Sequence, residues 1–133
     1  MRTLVIGDIH GCLRAFDRLL DAVQPSTEDQ LITLGDYVDR GPDSRGVVEC
    51  MIGLSKSHNL VELLRNHEEM MLESLFDMNN LRAWCMCGGE ATLRSYCPRG
   101  GVPYSEALKE VPEHHWHFLQ FGCRDWFEND THI

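Results

Sequence analysis

Three times within the first 77 residues a short apolar run gives way to a polar loop, and the loop to a segment with helical spacing. The apolar runs are 3–6, 31–34 and 60–64, rich in Val, Ile and Leu and bounded by glycine or polar residues, as strands are. After the first, Leu13, Phe16, Leu19, Leu20 and Val23 recur at the helical period over about 12–23. After the second, Pro42-Asp43-Ser44 opens a helix whose apolar side is Val47, Val48, Met51 and Ile52. After the third, residues 68–77 present Met71, Leu72, Leu75 and Phe76 as a core side. Strand and helix in strict alternation fold as βαβ units around a parallel sheet, so an α/β fold is predicted.

The same alternation locates the chemistry. Sites in such sheets form beyond the carboxyl ends of the strands. Asp8 and His10 follow the first run, Asp36, Asp39 and Arg40 the second, and Asn66, His67 and Glu68 the third. These groups are distant in sequence and are expected at one edge of the sheet. The densest stretch is Gly35-Asp36-Tyr37-Val38-Asp39-Arg40-Gly41, where the glycines allow tight turns on both sides. Carboxylates, imidazoles and a side-chain amide suit manganese, iron or zinc. Two such ions can hold a hydroxide and clamp a phosphoryl group for in-line attack. On this reading Asp8 and His10 serve one metal, Asp36 both, and Asn66 the second. His67 fits a general acid, Asp39 a carboxylate that accepts from its ring, and Arg40 a planar fork for phosphate oxygens. Plainer alternatives exist for each. Asp8 suits a helix cap, Asn66 a turn, the histidines ordinary loop hydrogen bonds, Arg40 a surface ion pair, and Glu68 the start of a helix.

The formal net charge of -9 argues against a nucleic acid held by its phosphates and against an anionic membrane surface. No apolar run approaches the length of a membrane span, and Asp8 ends the first run too early for a signal peptide. The cytoplasm is the expected compartment. The six cysteines, Cys12, Cys50, Cys85, Cys87, Cys97 and Cys123, contain no C-x-x-C pair and read as reduced thiols rather than a zinc knuckle. From residue 79 the pattern loosens. Gly88-Gly89, Pro98-Arg99-Gly100-Gly101 and Pro103 are turn signals, with Trp84, Tyr96 and Tyr104 among them, and predict a loop-rich cap or an insertion around a cleft. Pro112-Glu113 opens a short helix carrying Trp116, Leu119 and Gln120, residues 123–127 read as a strand, Asn129-Asp130 as a hairpin turn, and 131–133 as a return strand cut short.

Gly7-Asp8-Ile9-His10-Gly11, the Gly35 to Gly41 stretch and Asn66-His67-Glu68 together resemble the three N-terminal signatures of the calcineurin-like metallophosphoesterases. Asp39-Arg40-Gly41 is similar to the phosphoprotein phosphatase group within them, which includes the bacterial and phage serine/threonine phosphatases. Trp84, Gly88-Gly89 and 123–133 also look like the bacterial branch. The resemblance implies an α/β/β/α sandwich, incomplete at the C-terminus, with residues 1–133 as the N-terminal portion of a single domain. It implies two divalent metal ions, manganese first and iron or zinc as alternatives, and hydrolysis of a phosphorylated protein or a small phosphoester. By position, Asp8, His10 and Asp36 match first-metal ligands, and Asp36 and Asn66 second-metal ligands. His67 matches the proton donor, Asp39 its partner, and Arg40 and Asn66 phosphate contacts.

Two departures from the pattern carry expectations of their own. The glycine that normally precedes Asn66 is absent and Arg65 stands in its place, so the aim of Asn66 and His67 is expected to change. The family's later histidine ligands fall beyond Ile133, which leaves the second metal with Asp36 and Asn66 and predicts a poor catalyst that self-associates. His114, His115 and His117 are the nearest replacements within the chain. Three readings follow: a serine/threonine-type phosphatase, a related hydrolase of symmetrical dinucleoside tetraphosphates, and a non-catalytic domain that binds one metal or phosphate.

Overall fold

A computed structural model describes residues 1–125. Its chain order is β1 (Thr3–Ile6), α1 (Leu13–Val23), β2 (Gln30–Thr33), α2 (Ser44–Ser57), β3 (Asn59–Leu64) and α3 (Asn66–Glu73). There follow α4 (Met78–Trp84), α5 (Glu90–Tyr96), α6 (Tyr104–Leu108), α7 (Glu113–His117) and the two-residue β4 (Arg124–Asp125). The strands form one parallel sheet in the order β1-β2-β3-β4, with Leu4 opposite Leu31 and Leu31 opposite Leu60. The predicted α/β fold is therefore present, and all three predicted strands and the starts of all three helices after them fall within a residue or two of their expected positions. The strand expected at 123–127 is seen at β4; its remainder, the hairpin at 129–130 and the return strand lie outside the described residues.

The core sits between the sheet and the helices after β2. On α2 the expected face is buried through Val47, Val48 and Met51, each worth on the order of 1.5–3 kcal/mol. The Asp43 side chain caps that helix by accepting from the Gly46 amide at 2.8 Å. Tyr37, Val38, Met71, Leu81, Trp84 and Leu119 complete a dry centre. Against expectation, α1 buries only Phe16 of its apolar stripe, with Leu19 41% and Val5 on β1 58% exposed. The face of β1 and α1 is thus uncovered among the described residues. The helix predicted at 68–77 instead starts at Asn66 and ends at Glu73, so Leu75 and Phe76, expected in the core, are exposed.

Residues 79–111, whose turn signals predicted a loop-rich cap or an insertion around a cleft, are largely helical, and the short helix predicted after Pro112 is present as α7. Gly88-Gly89 belongs to a wide turn over Cys85–Gly89 that joins α4 to α5, and the turn lets both helices pack on the α2 side of the sheet. The six cysteines are unpaired thiols, as expected. Among the described residues no helix is long and apolar enough to cross a membrane.

Candidate metal centre

The loops beyond β1 and β2 are laced together by backbone hydrogen bonds. The His10 amide donates to the Asp36 carbonyl at 2.8 Å, Gly11 to Tyr37 at 2.7 Å, and Asp43 back to Gly11 at 2.9 Å. Gly41 runs so close to the His10 carbonyl that any side chain there would collide with it. The loops also demand unusual backbone. Asp8, His10, Asp36, Asp39 and Arg40 all have positive φ, from 41° at His10 to 79° at Asp39. Non-glycine residues rarely adopt this region, and they cluster there at functional sites.

The anchor of the second loop is Glu68, which is fully buried. Its carboxylate accepts from the backbone amides of Asp36 at 2.6 Å, Tyr37 at 2.9 Å, Val38 at 3.4 Å and Arg65 at 3.4 Å. Burial pushes its carboxyl up to about 8, with the Asp36 charge adding to the rise and the amide donors opposing it. Glu68 does sit in the first turn of α3 as expected, but its larger role is to hold Asp36 in place. Sequence reasoning missed that role, since nothing local distinguishes a cap from a carboxylate that reaches another strand's loop.

Donor atoms of His10, Asp36 and His67 lie within 4.8 Å of one another. The His10 Nδ1–H donates to the Val38 carbonyl at 3.1 Å, which leaves Nε2 as the coordinating nitrogen. Asp36 Oδ1 is buried and has no hydrogen-bond partner among the described residues. An orphaned carboxylate oxygen beside two imidazoles is what a cation would satisfy, so the donor set fits a divalent metal. Asp8 does not join this trio. It is exposed and lines a separate hollow with Ile6, Ile9, Cys12, Ala15, Phe16 and Leu19. His67, assigned above to proton transfer rather than ligation, does join it.

His67 also makes the expected pair. Its Nδ1–H donates to Asp39 Oδ2 at 2.6 Å. Asp39 is fully buried, and its carboxylate accepts further bonds from Trp84 Nε1 at 2.8 Å and Thr92 Oγ1 at 2.6 Å. The Asp39 amide donates to Ser44 Oγ at 3.0 Å and Thr92 Oγ1 at 2.8 Å. Burial raises the Asp39 carboxyl above its ordinary range, and these donors oppose the rise. Trp84 and Thr92 come from α4 and α5, the stretch whose turn signals hid its helices. Trp84 carried a family likeness as a signal, whereas an isolated threonine carries none.

Asn66 and Arg40 face one open cleft of about 520 Å³, lined also by His67, Glu69, Met70 and Cys87. The Arg40 backbone is fixed there by donation of its amide to the Gly88 carbonyl at 3.2 Å. Arg65 adopts extended backbone at φ -128°, so the missing glycine produces no left-handed residue at that position. Its side-chain stem lies over Gly35, where φ is +93° and no Cβ would fit. The Arg65 Nε stands 3.8 Å from Asp36 Oδ2, beside the candidate ligand trio. His114 and His115 do not supply the centre with replacement ligands. They meet Glu49 in a separate group, and His117 stacks on Phe121.

The family model of the calcineurin-like phosphoesterases matches residues 1–133. The chain is 37% identical over 130 residues to a serine/threonine-protein phosphatase 1 of Salmonella typhimurium, covering 97% of this chain and 55% of that protein. It is 47% identical over 73 residues to a symmetrical bis(5'-nucleosyl)-tetraphosphatase of Erwinia tasmaniensis, covering 54% of this chain and 26% of that protein. A crystal structure described, provisionally, as that of a diadenosine tetraphosphatase superposes with a TM-score of 0.57 at 26% identity, over 90% of this chain and 41% of the other. The chain thus spans from about a quarter to about half the length of these relatives.

Proposed function

The chain belongs to the calcineurin-like phosphoesterase family, and from that premise we propose that it is a metal-dependent hydrolase of phosphomonoesters, of the serine/threonine protein phosphatase type. The observation that carries this reading is the buried Asp39–His67 pair set beside the orphaned oxygen of Asp36. His10 and Asp36 would hold a divalent ion, manganese by preference, with Asn66 as a further ligand that the family pattern suggests; Asp8 belongs to the same pattern but lies outside the trio. Such ions supply charge for the phosphoryl oxygens and lower the pKa of water.

The chain's own residues do the rest. Arg40 projects into the cleft beside Asn66 and offers two parallel N–H donors to a phosphate. With Nδ1 committed to Asp39, His67 presents Nε2–H to the leaving oxygen. Water forms the new P–O bond and the ester P–O bond breaks; the His67 proton goes to the alcohol oxygen, one water proton stays on the phosphate and the other returns to His67. Asp39 stabilises the cationic ring before transfer and fixes its tautomer, a task for which its hydrogen bonds with Ser44, Trp84 and Thr92 hold it rigid.

Hydrolysis of a dinucleoside tetraphosphate is the second reading, favoured by the tetraphosphatase likeness over 73 residues and by the structural neighbour. Turnover of a serine phosphopeptide and of diadenosine tetraphosphate, measured side by side with manganese, separates the two. The expected result is release of phosphate from the peptide, lost in His67→Asn. Cleavage of the tetraphosphate alone would favour the second reading. Manganese binding without turnover of either would leave the non-catalytic one.

A further inference from the structure

A second constellation lies outside the site described. Glu49 projects from α2, and His114 and His115 from α7, and their donor atoms lie within 4.8 Å of one another. His114 Nε2 is 3.1 Å from Glu49 Oε2, and His115 Nε2 contacts the same oxygen. The two imidazoles pack edge to face with centroids 4.5 Å apart. We propose that Glu49, His114 and His115 form a transition-metal site, suited to zinc, that clips α7 to α2.

One edge of the group already has the spacing that zinc requires. Bonds of about 2.0–2.1 Å in a tetrahedron place neighbouring ligand atoms about 3.3 Å apart. The 3.1 Å separation between His114 Nε2 and Glu49 Oε2 is already near that edge. Two imidazoles and one carboxylate leave a fourth position for water, which the exposure of Glu49 (57%) and His114 (58%) permits. The third ligand is not a loose surface group. The His115 side chain is fully buried, and its Nδ1 meets the hydroxyl of buried Tyr96 at 2.6 Å. A fixed partner on the second ring nitrogen is how proteins orient a ligating histidine and choose its tautomer. Here the hydroxyl accepts from Nδ1–H when Nε2 takes the metal.

Burial, with the positive charges of His114 and Arg45 nearby, lowers the His115 pKa, although the Glu49 carboxylate opposes the shift. The clip joins elements 65 residues apart in sequence, so binding should stabilise the fold as well as fill a site.

The test uses the full chain and needs no catalytic activity. Cobalt is titrated as a zinc probe, followed by its visible absorption, and zinc by calorimetry, at neutral pH. Asp36→Asn is included to silence the other centre. Glu49→Gln and His114→Ala alter exposed side chains, so they leave folding intact, which circular dichroism checks. In the Asp36→Asn background one equivalent of zinc should still bind and raise the thermal midpoint by several degrees. Adding Glu49→Gln or His114→Ala should weaken that binding at least tenfold and abolish the midpoint shift. If Asp36→Asn alone removes all binding, or if Glu49→Gln and His114→Ala bind zinc as their parent does, the site does not exist.

Discussion

The Thr92 hydroxyl is a small group with a large predicted effect. It donates to Asp39 Oδ1 at 2.6 Å and accepts from the Asp39 amide at 2.8 Å, with no exposure to solvent. Thr92→Val keeps the shape and removes only the hydroxyl. Asp39 Oδ1 is then left with Trp84 Nε1 at 3.0 Å, while the Asp39 amide keeps Ser44 Oγ at 3.0 Å. A hydrogen bond to a buried charged group is worth about 1.5–3 kcal/mol, so the variant should lose about 2 kcal/mol. At a urea dependence of about 1–2 kcal/mol/M for a chain of this size, its midpoint falls by roughly 1–2 M. Thr92→Ser is the control: it keeps the hydroxyl and loses one buried methyl, at about 1 kcal/mol. Tryptophan fluorescence reports both, since Trp84 is fully buried. The pH dependence follows from sign. The lost donor stabilised the ionised form, so the Asp39 carboxyl rises further above its ordinary range. The deficit of the valine variant is full where Asp39 is ionised and shrinks as pH falls and Asp39 takes up its proton. If valine costs no more than serine, or if the deficit does not change with pH, the hydroxyl–carboxylate bond is not what holds Asp39.

Asp36→Asn should weaken manganese binding at the first centre at least tenfold, and more than Asp39→Asn, because only Asp36 carries the orphaned oxygen; calorimetric titration compares them. Arg65→Ala removes a positive charge 3.8 Å from Asp36 Oδ2 and should tighten manganese binding about three- to tenfold at low salt, an effect that 0.5 M salt should largely erase. Asp29 accepts from the Arg2 amide, the Arg2 guanidinium and the Ser26 amide, each at 2.9 Å, which hold its carboxyl well below the usual range. Stability from this group is present above its unfolded pKa and is lost as pH falls toward the folded one. Acid unfolding of Asp29→Asn should therefore be shallower below about pH 4 than that of the parent.

The amino-acid sequence made the strand-end geometry legible because it is written twice, in the short apolar runs and in the helical spacing after them. Asp36, His10, Asp39 and His67 could be found from that geometry alone. What it could not reveal was who holds them. Glu68 reads as an ordinary helix-start carboxylate, and its four amide donors come from the β2 loop and from Arg65. Trp84 and Thr92 lie in helices so short that glycine and proline signals outweighed their weak periodicity. Burial was misjudged where apolar spacing continued past a helix end, as at Leu75 and Phe76. It was also misjudged on α1, where the stripe is real but little covers it among the described residues.

The backbone of the centre has a consequence for any attempt to improve the protein. Asp8, His10, Asp36, Asp39 and Arg40 are held at positive φ, where each non-glycine residue costs on the order of 1 kcal/mol or more. Against a total stability of roughly 5–15 kcal/mol, that is a large standing load on five residues. Glycine at Asp8 or Arg40, whose side chains are exposed, would shed part of it. A laboratory evolution campaign that selects only for heat resistance would drift toward those replacements and dismantle the site as it succeeded. Selection would have to reward ion or phosphate binding in every round for the loops to keep their shape.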